Sequence, residues 1–363
     1  MPTRRDVLAG ITTVAFTPTV GWAGVGNPIV VSAAKNPDGT FELVGLDAEG
    51  DITFRAPLPA RGHAAAAHPN IAEIVAIARR PGTFAKVIDC ASGFVRQTLA
   101  APEGHHFYGH GAFSSDGKFL YTTENAYTSG AGRIGVWDRS LNYRRVGEFA
   151  SGGIGPHEIL RLPTGNLAVA NGGIRTHPET GRDKLNLDTM RSNLSILSPL
   201  GVMLDQADVS SDTHHNSLRH IAVQTDGTVA CGLQWQGDPF DAPSLVHRYR
   251  GDGALVPAEM NDEILRRLDG YIGSVSAFQS DGFAATSPRG GLALTFTNDG
   301  RLEHVHTGLD LCGLTSHPNS DCIVTDGNGQ VHMLQSTVLA CRKRHSLAFD
   351  NHLVPIKMGN SRS

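Results

Sequence analysis

The sequence predicts an all-β chain wound into a seven-bladed β-propeller, its last blade closed by strands from the N- and C-terminal ends. Three observations carry this expectation: a hairpin pattern that recurs along the chain, a glycine-rich composition, and chain ends that each lack what the other offers. The 363 residues include 42 glycines and only 14 phenylalanines, with 40% hydrophobic and 18% charged side chains. Such a balance suits many short strands joined by tight turns and argues against a helical protein. The length would hold two average domains, but all-β rings of this size fold as one unit. A single domain is therefore expected over residues 28–357.

Taken from its start, the chain opens with an address. Thr3-Arg4-Arg5-Asp6-Val7-Leu8 reads as a twin-arginine export signal, followed by a mildly apolar stretch from Val7 to Val20. Gly21-Trp22-Ala23 offers small residues for cleavage after Ala23, so residues 1–23 are expected to be a removable signal peptide and the mature protein periplasmic. An ordinary basic N-terminus is the alternative. The apolar stretch is too short and too rich in Thr and Gly to span a bilayer, and no later segment reaches the required length, so no transmembrane anchor is expected after processing. A formal net charge of -4, with Arg342-Lys343-Arg344 as the one basic run that stands out, leaves nucleic acid an unexpected partner.

The hairpin repeat fixes the blades. One copy runs from Gly109-His110-Gly111 through the turn at Asp116-Gly117 into Phe119-Leu120-Tyr121-Thr122-Thr123. A second runs from Pro156-His157-Glu158 through Thr164-Gly165 into Leu167-Ala168-Val169-Ala170, and a third from Arg219-His220 through Asp226-Gly227 into Val229-Ala230-Cys231. Weaker copies begin at His63, Val275 and Leu314. Asp-Gly between alternating runs is a strong hairpin signal, because glycine accepts the positive φ of the tight turn. With a lone strand at His352, the starts recur at intervals of roughly 40 to 60 residues, about 48 on average, which bracket the period of a four-stranded blade. Blades one to seven are numbered from these starts. Ile29–Ala34, Phe41–Asp47 and Asp51–Arg55 read as three strands with no inner partner, and His352–Ile356 as an inner strand with nothing after it. Joining them closes the ring and leaves no open edge.

Five cysteines are few for an exported chain, and no CxxC pair occurs. Cys312 and Cys322 fall on neighbouring strands of one hairpin, where a bridge is conceivable; buried small hydrophobes are the other reading for these and for Cys90, Cys231 and Cys341.

In a propeller the starts of first strands and the ends of second strands converge on one mouth. The first set supplies His63, His110, His157, Glu158, Arg219 and His220; the second supplies Arg79, Glu124, Asn125, Asn171, Gln234 and Asp326. Packing alone would favour Val or Ala there. Long insertions (125–133, 171–191, 205–217 and 234–244) are expected on the same face and carry Tyr127, Arg133, Arg175, His177, Lys184, Asn186, Asp188, Arg191, His214, His215 and Trp235. Loops gathered on one rim of a rigid scaffold are the usual place for binding, so a single site is expected over blades two to four.

Two chemistries compete for it. His110, His157 and His220, with Glu158 or Glu124, offer the imidazole and carboxylate donors of a divalent metal site; a hydrogen-bonded polar lining around channel water uses the same residues without a metal. Arg175, Lys184 and Arg191 offer an anion site, a carboxylate or a chelated ferric complex, because the guanidinium fork donates two parallel hydrogen bonds; a solvated loop pinned by Asp183 and Asp188 is the alternative. His214-His215 reads as an exposed pair. There is no GxSxG elbow, His157-Glu158 lacks the second histidine of HExxH, Gly153-Ile154-Gly155 lacks the third glycine of a dinucleotide loop, and no CxxCH for covalent haem occurs.

The strings Gly109-His110-Gly111, Tyr121-Thr122-Thr123-Glu124-Asn125, Gly153-Ile154-Gly155-Pro156-His157-Glu158, Ala170-Asn171-Gly172-Gly173-Ile174, Thr176-His177-Pro178, Lys184 to Met190 and Leu218-Arg219-His220 are distinctive together. Across nearly the whole mature chain, the sequence resembles an uncharacterised domain-of-unknown-function family of twin-arginine-exported bacterial propellers. The resemblance implies a periplasmic propeller and, through gene neighbourhoods shared with imelysin-like and di-haem oxidoreductase-like proteins, a connection to iron uptake with such periplasmic proteins as partners. It supplies no catalytic residues. The functional expectation is a non-catalytic propeller that binds a ligand or partner at its mouth. The rival is a metal-dependent hydrolase or lactonase with Glu158 or Glu124 as general base and the three histidines as ligands, which rests on fold-level analogy. A protein-docking scaffold presenting Trp235 and Tyr127 is the third reading.

Overall fold

A computed structural model describes residues 20–356 except 182, 280 and 320. The twin-arginine stretch and most of the expected signal peptide lie outside the described residues. Seven four-stranded antiparallel sheets follow one another around an axis. Their inner strands are Ala65–Ala67, His105–Phe113, Pro156–Arg161, Asn216–Val223, Ser274–Phe278, Leu311–Ser316 and Ala348–Pro355. Six of the seven starts read from the sequence fall inside these strands, and His63 precedes the first by two residues. The seventh blade closes as expected: Ala348–Pro355 pairs with Val30–Lys35, which continues through Phe41–Leu46 to Ile52–Leu58.

The turns form for the reason the sequence suggested. Gly117 has φ 72°, its N–H donates to the Ser114 carbonyl, and Asp116 accepts from the Lys118 N–H. The core lies between the faces of successive blades rather than at the centre. Phe107, Leu120 and Trp137 of blade two pack on Val75, Ile77 and Val87 of blade one, and Phe283, Leu292 and Phe296 of blade five pack on Ala230 and Val246 of blade four. Burying each such large side chain is worth about 1.5–3 kcal/mol, and truncating Phe107 to Ala would cost about 3–5 kcal/mol.

Several expectations are refined. Residues 125–133 are no insertion: Phe119–Ala126 and Ala131–Asp138 are long strands joined by a short turn. Of 205–217, the first part is the outer strand Met203–Asp208 of blade three. All five cysteines are free. Cys322 pairs with Ser316 while Leu311 pairs with Asp326, so Cys312 and Cys322 sit at opposite ends of their hairpin. Trp22 is 3% exposed and packs with Val25, Phe54 and Ile74 between blades seven and one, its Nε1 donating to the His68 carbonyl at 2.9 Å. A chain beginning at Gly24, after the expected cleavage, would lack these contacts. Among the described residues no helix is long and apolar enough to cross a membrane.

Candidate functional site

The inner strands do not run straight into the channel mouth; they bulge there. In blade two the pairing jumps from Phe107 opposite Glu124 to Gly111 opposite Thr122, so Tyr108, Gly109 and His110 together face one residue. In blade three His157 is the extra residue between Pro156 and Glu158, in blade four Arg219 is extra between Leu218 and His220, and in blade seven the register slips between Phe349 and Leu353. A bulge bends its strand and re-aims the side chain. Here it turns histidines toward the axis. Gly109 makes the turn in blade two with φ 106°, and a Cβ there would stand 2.3 Å from His63 Cδ2.

Five imidazoles from five blades meet as a result. Ring centroids are 4.9 Å apart for His63 and His110, 4.5 Å for His63 and His352, and 4.7 Å for His110 and His352. His157 lies 4.8 Å from His110, and His220 lies 5.1 Å from both His157 and His352. One nitrogen from each of His63, His110 and His352 lies within 4.8 Å of the other two. The tightest trio thus replaces two of the three expected ligands, and His157 and His220 flank it. Glu158 stands beside the cluster, with one carboxylate oxygen 3.7 Å from His110 Nδ1 and the other 3.5 Å from His220 Nδ1.

Burial sets the protonation states. It holds His63, His110 and His157 well below the usual imidazole range, takes His352 down to about 4 and His220 to about 3, and neighbouring imidazoles or Arg219 add to the effect. At neutral pH all five are neutral, the state that ligates metals. His157 Nδ1 lies 3.0 Å from the Arg219 carbonyl and so carries the proton of the neutral ring, leaving Nε2 with the lone pair. His110 Nε2 is buried with no hydrogen-bond partner among the described residues. Burial pushes the Glu158 carboxyl up to about 7, opposed by His352 and by the Ile221 N–H that donates to it at 2.9 Å. Its side chain keeps 18% of its surface accessible, along the channel.

The cluster divides two spaces. On one side runs a channel of about 180 Å³ lined by Ala65, Ile159, Val223, Val275, Leu314 and Val354, with His110, Glu158 and His352 at its end. On the other lies a basic mouth. Arg219 is 7% exposed, and burial followed by the nearby Arg80 lowers its guanidinium to about 10. Lys184 reaches over from the blade-three loop, its ammonium lowered by burial, Arg219, Arg80 and Arg289. Arg289 lies over the Tyr271 ring at 4.6 Å, beside a cleft of about 310 Å³ formed with Pro288, Asp310 and Asn351.

Other candidates are spent on the scaffold. Glu124 takes hydrogen bonds from Arg145 at 2.7 Å and Thr122 at 2.8 Å within blade two, so the mouth role expected for it is withdrawn. Asn171 binds Ser151, Asn193 and Ser195, Gln234 donates to the Ile272 carbonyl, and Asp326 accepts from Asn328, Gln330 and His332. Asn125 contacts His106 Nε2 and the Thr176 carbonyl, and Asn186 pins its loop through the Arg175 N–H and the Gly173 carbonyl. Arg175 donates to the Thr128 carbonyl, His177 caps a helical turn at Glu179, Arg191 is exposed, and Trp235 donates to the Asp238 carbonyl. His214 and His215 lie with ring centroids 4.0 Å apart at a tilt of 39°, away from the axial cluster and half-buried rather than exposed as expected. In the sequence His63 stands among the polar strand starts of the mouth and His352 begins a lone inner strand, with neither expected as a ligand. Their place at the same point of the repeat as His110 was the available signal.

A family model described as "Protein of unknown function (DUF1513)" matches residues 56–356. No curated protein matches the sequence. Among solved structures, the chain is similar to one titled "Crystal Structure of Mitotic Checkpoint Complex", with 13% identity, a TM-score of 0.55, and coverage of 78% of this chain and 80% of that one. It is also similar to a protein of unknown function from Bacteroides caccae, with 13% identity, a TM-score of 0.47, and coverage of 77% and 94%. At such identity the first likeness shows the propeller fold and nothing of its use.

Proposed function

The chain belongs to the DUF1513 family of proteins of unknown function, and on that footing we propose that it is a periplasmic metal-binding propeller serving iron acquisition, with His63, His110, His352, His157 and His220 as its donors. The observation that carries the reading is the meeting on the ring axis of five neutral imidazoles, His63, His110, His220 and His352 buried and His157 half-buried. Imidazole suits divalent iron, copper, zinc and nickel, and selectivity among them follows availability more than raw affinity. The Arg4-Arg5 export stretch supports the periplasmic location, iron is favoured by the resemblance to propellers of iron-uptake neighbourhoods, and imelysin-like periplasmic proteins are the proposed partners. Binding without turnover is the default reading, because the inner strands hold the donors together at the end of a channel of about 180 Å³.

Metal analysis tests the reading. Protein purified from the periplasm and dialysed against equimolar Fe(II), Zn(II) and Cu(II) without oxygen is expected to retain about one ion per chain. His110→Ala combined with His352→Ala is expected to retain none. Wild-type protein with no retained ion would overturn the proposal, and normal growth of a deletion strain under iron limitation would remove the iron assignment while leaving the metal site.

Glu158 supports a second reading, a metal-dependent hydrolase, because its carboxylate stands 3.5 to 3.7 Å from two of the imidazoles, where it would take a proton from a metal-bound water. That reading requires metal-loaded protein to hydrolyse a lactone or ester and Glu158→Gln to abolish the turnover. Equal rates in the two proteins would discard it.

A further inference from the structure

We infer that the mouth above the histidine cluster is an oxyanion site anchored by Arg219, which takes a carboxylate-type anion together with the metal. Arg219 is 7% exposed, yet no carboxylate lies within ion-pair distance of its guanidinium among the described residues. Its Nε is buried with no hydrogen-bond partner. Buried cations are as a rule paired, and three half-buried arginines follow that rule: Arg139 has Glu73, Arg133 has Glu148, and Arg145 has Glu124 and Glu148. Arg219 departs from it. Its charged neighbours are Arg80 and Arg79, and Lys184 joins them from above.

Position couples this cation to the histidines. Arg219 is the bulged residue immediately before His220, and its carbonyl accepts from His157 Nδ1 at 3.0 Å. A divalent ion among neutral imidazoles would add positive charge beside a guanidinium; Glu158 contacts His110 and His220 and not Arg219, and Asp350, the other carboxylate acting on His352, is taken by Arg61. An anion between metal and guanidinium relieves both repulsions. The planar fork of arginine matches an O–C–O group by two parallel hydrogen bonds, so the ligand is a carboxylate or (bi)carbonate. The metal half of this inference rests on the reading above; the anion half stands on Arg219 alone.

The test titrates the full purified protein with Co(II) in carbonate-free buffer, alone and with added bicarbonate or acetate. Either anion is expected to tighten Co(II) binding at least about tenfold in the wild type, and whichever acts at lower concentration identifies inorganic carbonate or an organic carboxylate as the source. Arg219→Gln should lose the enhancement while binding Co(II) in anion-free buffer as well as or better than wild type, because a neighbouring positive charge is gone. A merely structural Arg219 would weaken Co(II) binding in every buffer, and that result, or a wild type indifferent to both anions, overturns the inference. Should Arg219→Gln not fold, the exposed Lys184→Met keeps the test, with an expected loss of about threefold in the enhancement and no loss without anion. If Co(II) does not bind at all, thermal stabilisation by bicarbonate or acetate in wild type but not in the variants preserves the anion site, and its absence removes it.

Discussion

The chain brings together two histidine–glutamate clusters, one within blade two around the buried Glu124 and one on the ring axis beside Glu158. Each brings three or more candidate metal donors together, since His105, Glu124 and Glu148 also approach within 4.8 Å of one another. Their charges are arranged in opposite ways. In blade two Arg145 donates to Glu124 at 2.7 Å and to Glu148 at 2.8 Å, so the carboxylates already have their cation. On the axis Glu158 meets a backbone N–H and imidazoles at its oxygens, while Arg219, beside His220 in the same bulge, has no acid among the described residues. A cluster that neutralises itself holds the fold. One that leaves neutral imidazoles, a lone carboxyl and a lone guanidinium side by side is suited to charges brought from outside.

The largest expected effect separates the clusters by metal affinity. His110→Ala with His352→Ala should weaken Co(II) binding by more than about 100-fold, beyond the 10 to 100-fold that even outer partners of a metal site cost. Glu124→Gln should leave it within about twofold. Equal losses in both variants would break the comparison.

Stability should reverse that order. Glu124→Ala leaves Arg145 partly buried with Glu148 as its remaining partner, and is expected to cost about 3 kcal/mol in denaturant unfolding. Glu158→Gln, which resembles the protonated carboxyl that burial favours, should cost under about 1 kcal/mol. A larger loss at Glu158 than at Glu124 would contradict the assignment of roles.

A smaller effect appears against pH. The axial histidines have pKa values depressed on folding, so the metal-free protein keeps their contribution above the unfolded value of 6.5 and loses it as pH falls toward about 4 for His352 and about 3 for His220. Glu158 has the opposite sign: its pKa is raised to about 7, so its contribution is full below 4.5 and fades as pH rises through about 7. Five histidines outweigh one glutamate, and net stability should fall toward acid. His220→Gln should flatten that acid limb, and an unchanged limb would contradict it; urea midpoints from pH 4 to 8 measure it.

The same two clusters show what the sequence could reveal. The blades were legible because their signals are local: Asp116-Gly117 and Asp226-Gly227 specify turns whatever surrounds them, and the unmatched strands at the two ends could pair only with each other. His110, His157 and His220 were legible as a set by their common place in the repeat. Glu124 misled because its place near the end of a second strand does not say which face it takes, and that face carries Arg145. With three residues of blade two facing one, Phe107 and not His110 stands opposite Glu124, and a bulge resets which face each residue presents. Arg219 was visible as a polar residue, but its lack of a carboxylate is a property of the whole mouth, assembled from blades far apart in the chain.

Anomalous diffraction at the cobalt edge from Co(II)-soaked crystals tests the central claim most directly. One peak on the ring axis, about 2.0–2.2 Å from nitrogens of at least three of the five axial histidines, is the expected result. A peak at His105, Glu124 and Glu148, or at His214-His215 with none on the axis, would contradict the account.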